Sequence, residues 1–247
     1  MMKRYCDLPP LSQKREGRTV LCHPFPSVQK ERTISYGGNQ NWLPEKRLQR
    51  SGCGLVACTD LLLYLHRYHN CCWSPLFQGS ALSQEPLPAA AYHALCQRLE
   101  QRFFPILPGF GITGWLLMLG LNRYFFSYRV PLRASWGVPP DNLWEGIQTM
   151  LSLDLPVILS IGPNFPFFWQ HHTLPFYLEE PDGGFRSAGQ VCAHYVTVTG
   201  VKGEQLRVSS WGRELCLLKK EYSAYRTLYS RFGVSSILRL SPMKGWK

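Results

Sequence analysis

In the stretch QRSGCGLVACTDLLLYL, Gln49 to Leu65, Cys53 sits between two glycines and leads straight into an apolar segment of helical spacing. A thiol attacks a carbonyl as its thiolate, and the amino end of a helix favours that form through partial positive charge and unpaired backbone N–H groups. Gly52 and Gly54 would leave room for a substrate backbone and let an N–H point at a developing oxyanion. A cysteine nucleophile also needs a base, which the fold must bring from far away in sequence. His194 in CAHYVTVTG is the candidate, an imidazole in a run of apolar and β-branched residues where it costs burial energy unless partnered. Cys58, Cys96, Cys192 and Cys216 read as small buried apolar residues.

The elements that must position this pair are legible as patterns. Leu55, Cys58, Leu62 and Leu65 recur at near-helical spacing, so Gly54 to about Tyr68 is expected to be a helix whose amino end lies at Cys53. AAAYHALCQRLEQRF is helical by propensity, and a further helix opened by PGFGITG should end near Tyr124. Asp141 or Asn142 caps a helix reaching about Leu153, followed by a buried strand from Pro156 to Ile161. QVCAHYVTVTG and QLRVSSWG read as two strands joined by a hairpin turn at VKGE. Residues 1–35 are polar and proline-interrupted, and are expected to form an arm, partly extended or disordered. Residues 36–247 are expected to form one domain of α+β class, with a helical lobe over about 36–153 and an antiparallel β-sheet lobe over about 154–247.

Other clusters could carry chemistry. HRYHNCCW offers His66, His69, Cys71 and Cys72 as zinc ligands, but adjacent cysteines fit one tetrahedral metal poorly and no distant CxxC completes the set, so a polar helix end is expected. FFWQHHTLPFYLEEP joins aromatics to His171 and His172 in a loop over the sheet lobe that could line a substrate cleft. GFGITG lacks the lysine and preceding strand of a phosphate loop.

The formal net charge of +11 invites an anionic partner. The basic residues are scattered, however, through the arm (Lys3, Arg4, Lys14), the segment before the cysteine (Lys46, Arg47, Arg50) and the carboxy-terminal part (Lys219, Lys220, Arg226, Arg231). A solvated surface, with no nucleic acid expected, is the reading. No apolar run reaches the roughly 18 residues of a membrane span. The start of the chain lacks the apolar core of a signal peptide, and nine cysteines at irregular spacing suit free thiols, so a cytoplasmic location is expected.

SGCG at a helix start, AHYVTVTGV on a strand and SSWG on the next strand, in that order, resemble a papain-fold cysteine peptidase, nearest to the bacteriocin-leader (double-glycine) peptidase-like branch. YGGNQNW upstream fits as well. The resemblance spans roughly Tyr36 to Tyr222 and implies hydrolysis of a peptide or amide by a Cys53–His194 pair, without metal or organic cofactor. It also implies that Gln40 helps form the oxyanion hole and that Ser209 orients the histidine. Two alternatives stay open: Asn41 or Gln49 could take the glutamine's role, and strand alternation, which groups Ser210 with Leu206 and Val208, could turn Ser210 toward His194. A serine in either place brings no charge to stabilise imidazolium. A thiol acyltransferase or amidase, or a non-catalytic binding module of the same fold, would use the same scaffold. Oligomeric state is not legible.

Overall fold

The computed structural model describes residues 18–107, 109, 111–139 and 142–243. Its axis is α2 (Cys53–Tyr68), in which every residue from Gly54 to Leu65 is buried. A helix apolar on all sides must be enclosed on all sides. Here α1 (Lys46–Ser51), α3 (Ala89–Arg102) and α4 (Gly114–Tyr128) pack on it from the helical lobe, and β6 (Val157–Ile161) and β9 (His194–Lys202) from the sheet. Burying each leucine of α2 stabilises the fold by about 1.5–3 kcal/mol before the entropy of ordering the chain is counted.

The sheet is antiparallel throughout and runs β5 (Leu132–Trp136), β12 (Ile237–Pro242), β6, β9, β10 (Gln205–Ser210), β11 (Arg213–Leu218), β7 (Leu174–Glu179), β8 (Phe185–Val191), with β1 (Arg18–Val20) added along β9. Two more helices, α5 (Leu143–Ser152) and α6 (Lys219–Leu228), pack on it. A small second sheet joins β3 (Thr33–Tyr36), β2 (Ser27–Lys30) and β4 (Leu87–Pro88). The protein is thus α+β, a helical lobe against an antiparallel sheet. The helix expected to end near Tyr124 continues one turn to Tyr128, where Arg129 takes the left-handed conformation at φ 53°.

Residues 18–35, read from sequence as an arm, carry β1, β2 and β3; the rest of that arm, 1–17, lies outside the described residues, as does Asp141. β5 likewise joins the sheet from within the stretch read as helical lobe, because its alternating burial suits the edge next to β12.

One fully buried carboxylate joins the segment after β1 to two parts of the domain at once, beside the His23–Tyr68 stack and the Leu21 N–H to Thr199 carbonyl bond. Asp154, in the turn between α5 and β6, accepts from the Cys22 backbone N–H at 2.6 Å and from the Tyr64 hydroxyl of α2, and meets His23 Nδ1 at 2.7 Å. Asp154→Ala leaves the Tyr64 hydroxyl and the Cys22 N–H without an acceptor. We expect it to destabilise the fold by about 3 kcal/mol, lowering the thermal midpoint by roughly 6–12 °C. A midpoint within a degree or two of the parent would show that this carboxylate does not secure the segment.

Candidate active site

Cys53 is the first residue of α2, as its spacing implied, and is half-buried. Its sulfur lies among backbone N–H groups of Cys53, Gly54 and Tyr195, which favour the thiolate, yet burial outweighs them and holds the thiol above its ordinary pKa. The space a side chain would take at either flanking glycine is already filled. A Cβ on Gly54 would stand 2.6 Å from Ile112 Cγ2, and one on Gly52 would stand 2.3 Å from the Leu48 carbonyl oxygen. Both glycines are therefore required by packing, the first against the neighbouring loop and the second against the end of α1.

His194 opens β9 and is 8% exposed. Its Nε2 is 2.8 Å from the Ser210 hydroxyl, and the Trp211 indole stacks on the ring with centroids 5.1 Å apart. Nδ1 has no hydrogen-bond partner among the described residues. No carboxylate backs the ring, and burial lowers the imidazole pKa to about 4, so at neutral pH it is an uncharged base.

The hairpin register explains which serine meets the ring. β9 and β10 pair from Gln205↔Lys202 to Ser209↔Thr197, with a bulge between Arg207 and Val208, and the ladder stops there. Ser209 shares Thr197's face and donates to the Tyr36 carbonyl at 2.8 Å, tying β10 to the end of β3. Ser210 points the other way, toward Val196 and His194. The hydroxyl within hydrogen-bond distance of the imidazole is thus that of Ser210, the alternative that strand alternation left open, and not that of Ser209, which the resemblance pointed to.

The β9–β10 ladder ends at Ser209↔Thr197, and a small crevice, of about 10 Å³, is lined by Cys53, Val56 and Asp60 of α2, by His194 and Tyr195, and by Gln40, Ser209, Ser210 and Trp211. Alternation puts Tyr195 on the α2 side, next to Gly54, and His194 across from it. Cys53 and His194 both line this crevice, but alternation turns the His194 side chain to the face of β9 opposite α2, and no hydrogen bond joins them in this state. Catalytic hydrogen bonds are commonly loose before substrate binds.

Gln40 reaches the cleft from a short 3-10 turn, Gln40–Trp42, capped by Asn39. Its amide donates one hydrogen bond to the Gln49 carbonyl at 2.9 Å, which fixes its plane and leaves a second N–H. Gln49 turns its own amide to the Leu43 carbonyl, and Asn41 is exposed, so of the three candidates Gln40 lines the cleft.

Trp211 and Asp60 are among the lining residues that escaped the sequence reading. Trp211 was visible only as part of SSWG; its indole covers the imidazole. Asp60 lies two helical turns beyond Cys53 on the same face, an acid within an apolar run, which was the available signal. Its carboxylate accepts from Gly38 N–H at 3.0 Å and from the Tyr92 hydroxyl at 2.7 Å, and burial raises its pKa to about 7. It thereby holds the Tyr36–Gln40 strap, where a Cβ on Gly38 would fall 2.0 Å from the Tyr92 hydroxyl oxygen.

The rival clusters resolve into structure. His66 Nδ1 accepts from Ser74 N–H and its ring stacks on Phe77, whereas His69 Nε2 meets the Asp154 carbonyl at 2.9 Å. The two histidines serve different partners, and among the described residues no group of three His, Cys, Asp or Glu is arranged to hold a metal. His172 stacks on Tyr229 at 3.8 Å. No helix among the described residues is long and apolar enough to cross a membrane.

No protein-family model and no curated protein matches the chain. A solved structure from Bacillus anthracis, of a protein provisionally described as a C39-like peptidase, is similar over 92% of this chain and 99% of its own, with 12% identity and a TM-score of 0.46.

The two serines are separable by experiment. Ser210→Ala should lower turnover of a peptide or ester substrate ten- to a hundredfold, about 1.4–2.7 kcal/mol of barrier, because the imidazole loses its only side-chain hydrogen bond. Ser209→Ala should leave turnover within about threefold while lowering stability by about 1 kcal/mol through the lost Tyr36 contact. The reverse pattern would return the orienting role to Ser209.

Proposed function

We propose that this chain is a cysteine peptidase-like hydrolase acting on a peptide or amide bond, of papain-like architecture and nearest to the double-glycine leader peptidase branch. The observation that carries the reading is the Cys53 sulfur at a helix start, among three backbone N–H groups, in a cleft shared with His194 and Gln40. The order of the four sequence motifs supports it independently. In the reaction His194 takes the thiol proton as Sγ attacks the carbonyl carbon, and the Cys53 N–H with the Gln40 amide receives the oxyanion. The imidazolium then gives its proton to the departing amine. Water, deprotonated by His194, hydrolyses the thioester and restores the thiol.

Because no hydrogen bond joins the Cys53 thiol to the neutral His194 imidazole in this state, the proposed reaction requires the two to come within reach when substrate binds. The test is a peptide-derived thiol-reactive probe, with the labelled cysteine mapped by mass spectrometry. Labelling at Cys53 that falls at least tenfold in His194→Ala supports the pair. Labelling confined to the exposed Cys22, or indifferent to His194, refutes it.

The absent Cys53–His194 hydrogen bond and the uncharged Ser210 favour one second reading, a binding module that retains the fold without turnover. Peptide binding that survives Cys53→Ala, with no product from the parent, would establish it. An acyltransferase would differ from both by passing the acyl group to an amine rather than to water.

A further inference from the structure

The loop between β6 and β7 carries an aromatic tip that the proposed reaction does not use. Phe165, Pro166, Phe167, Phe168 and Trp169 are consecutive and all exposed, Phe168 by 61% and Trp169 by 70%. Soluble proteins rarely present so much contiguous apolar surface without a use for it. The tip is anchored rather than loose. Phe165 N–H donates to the Tyr229 carbonyl at 3.0 Å, Ser230 donates to the Pro163 carbonyl at 3.1 Å, and Asn164 is buried between the His172 backbone and the Tyr225 hydroxyl. The end of α6 and the segment after it, which supply these anchors, also expose Leu228 and Phe232.

Charge and shape narrow the occupant. Residues 162–173 and 227–236 contain no Asp or Glu, whereas Arg231 stands exposed among them, on a chain of net charge +11. Five successive exposed residues whose rings pack on one another, Phe165 on Phe168 and Phe167 on Trp169, make one apolar patch without an acidic residue in its own loop, which suits a soft apolar layer under an anionic surface. Phe and Trp side chains settle at the boundary between headgroups and acyl chains, and a nearby cation adds attraction to acidic lipids. We propose that the Phe165–Trp169 tip, with Leu228, Phe232 and Arg231, docks the protein reversibly on an anionic phospholipid bilayer. The loop leaves β6 immediately after Ile161, the residue paired with His194, so docking would hold the cleft close to the membrane surface. The inference does not depend on Cys53 being reactive.

Flotation with vesicles tests it, using phosphatidylcholine alone and about three parts phosphatidylcholine to one of phosphatidylserine. The parent is expected to float with the serine-containing vesicles. Phe167→Ser, Phe168→Ser and Trp169→Ser together should weaken binding at least tenfold with an unchanged thermal midpoint, and Arg231→Gln should weaken it less. Phe126→Ser, which removes an equally exposed aromatic from α4, should bind as the parent does. If the triple variant does not fold, Trp169→Phe carries the test: it should still bind but lose part of the vesicle-induced blue shift in indole emission. The proposal fails if the parent does not float, if it floats equally with phosphatidylcholine alone, if the triple variant binds like the parent, if Phe126→Ser weakens binding as much, or if Trp169→Phe leaves the blue shift intact.

Discussion

Cys53→Ala is expected to lower turnover by ten-thousandfold or more, about 5 kcal/mol of barrier, while leaving the fold intact. In the proposed reaction the sulfur is the atom that becomes covalently bonded to the acyl group, and no other thiol among the described residues lines the cleft. Its half-buried position at the start of α2 should accept a methyl group without strain, so the thermal midpoint should stay within a few degrees. His194→Gln should cost a hundred- to ten-thousandfold, because it removes the proton acceptor while keeping similar volume. If the two act as one unit, the double variant should lose little more than Cys53→Ala alone. Comparable turnover in Cys53→Ala and parent, with either substrate class, would remove the nucleophile from the proposal.

The pH dependence should carry the signature of an uncharged pair. With His194 lowered to about 4 and Cys53 raised by burial, the resting pair at neutral pH is thiol plus neutral imidazole, which the proposal takes as the active form. Thus kcat/KM should rise with one proton lost near pH 4 and stay level across neutrality. A thiolate–imidazolium pair would instead lose activity when the imidazolium deprotonates, so a descending limb at mildly alkaline pH would contradict the assignment. Ser210→Asp puts a carboxylate where the hydroxyl meets Nε2, stabilises imidazolium, and should move the acidic limb upward by a unit or more.

The same shift enters stability. Between about pH 6.5 and 4 the unfolded chain protonates His194 before the folded chain does. The stability tied to this group is therefore complete above 6.5 and lost as the pH falls through 4, up to about 3 kcal/mol. Asp60 works oppositely, since its raised pKa makes its contribution full below about 4 and lost as the pH climbs through 7. The His194 effect should therefore emerge in the difference between parent and His194→Gln denaturation curves across this window, and a difference that does not change with pH would contradict it.

What the sequence by itself determined is what neighbouring residues encode. Apolar spacing announced α2 and put Cys53 at its start, the β-branched run from His194 announced β9, although Gln190 and Val191, read as part of that strand, end β8 instead, and VKGE announced the turn into β10. These follow from periods of 3.6 and 2 and from turn chemistry, all of which act within a few residues. The tertiary structure alone decided the rest. Whether Ser209 or Ser210 meets the imidazole depends on where the β9–β10 ladder ends, and whether Gln40 or Gln49 enters the cleft depends on an amide–carbonyl contact between them. β1 joining β9, β5 joining β12 and Asp154 gripping Cys22 and Tyr64 are pairings across long stretches of chain. No local pattern specifies such pairings, because their free energy comes from burying surfaces and satisfying polar groups that meet only once the core has formed.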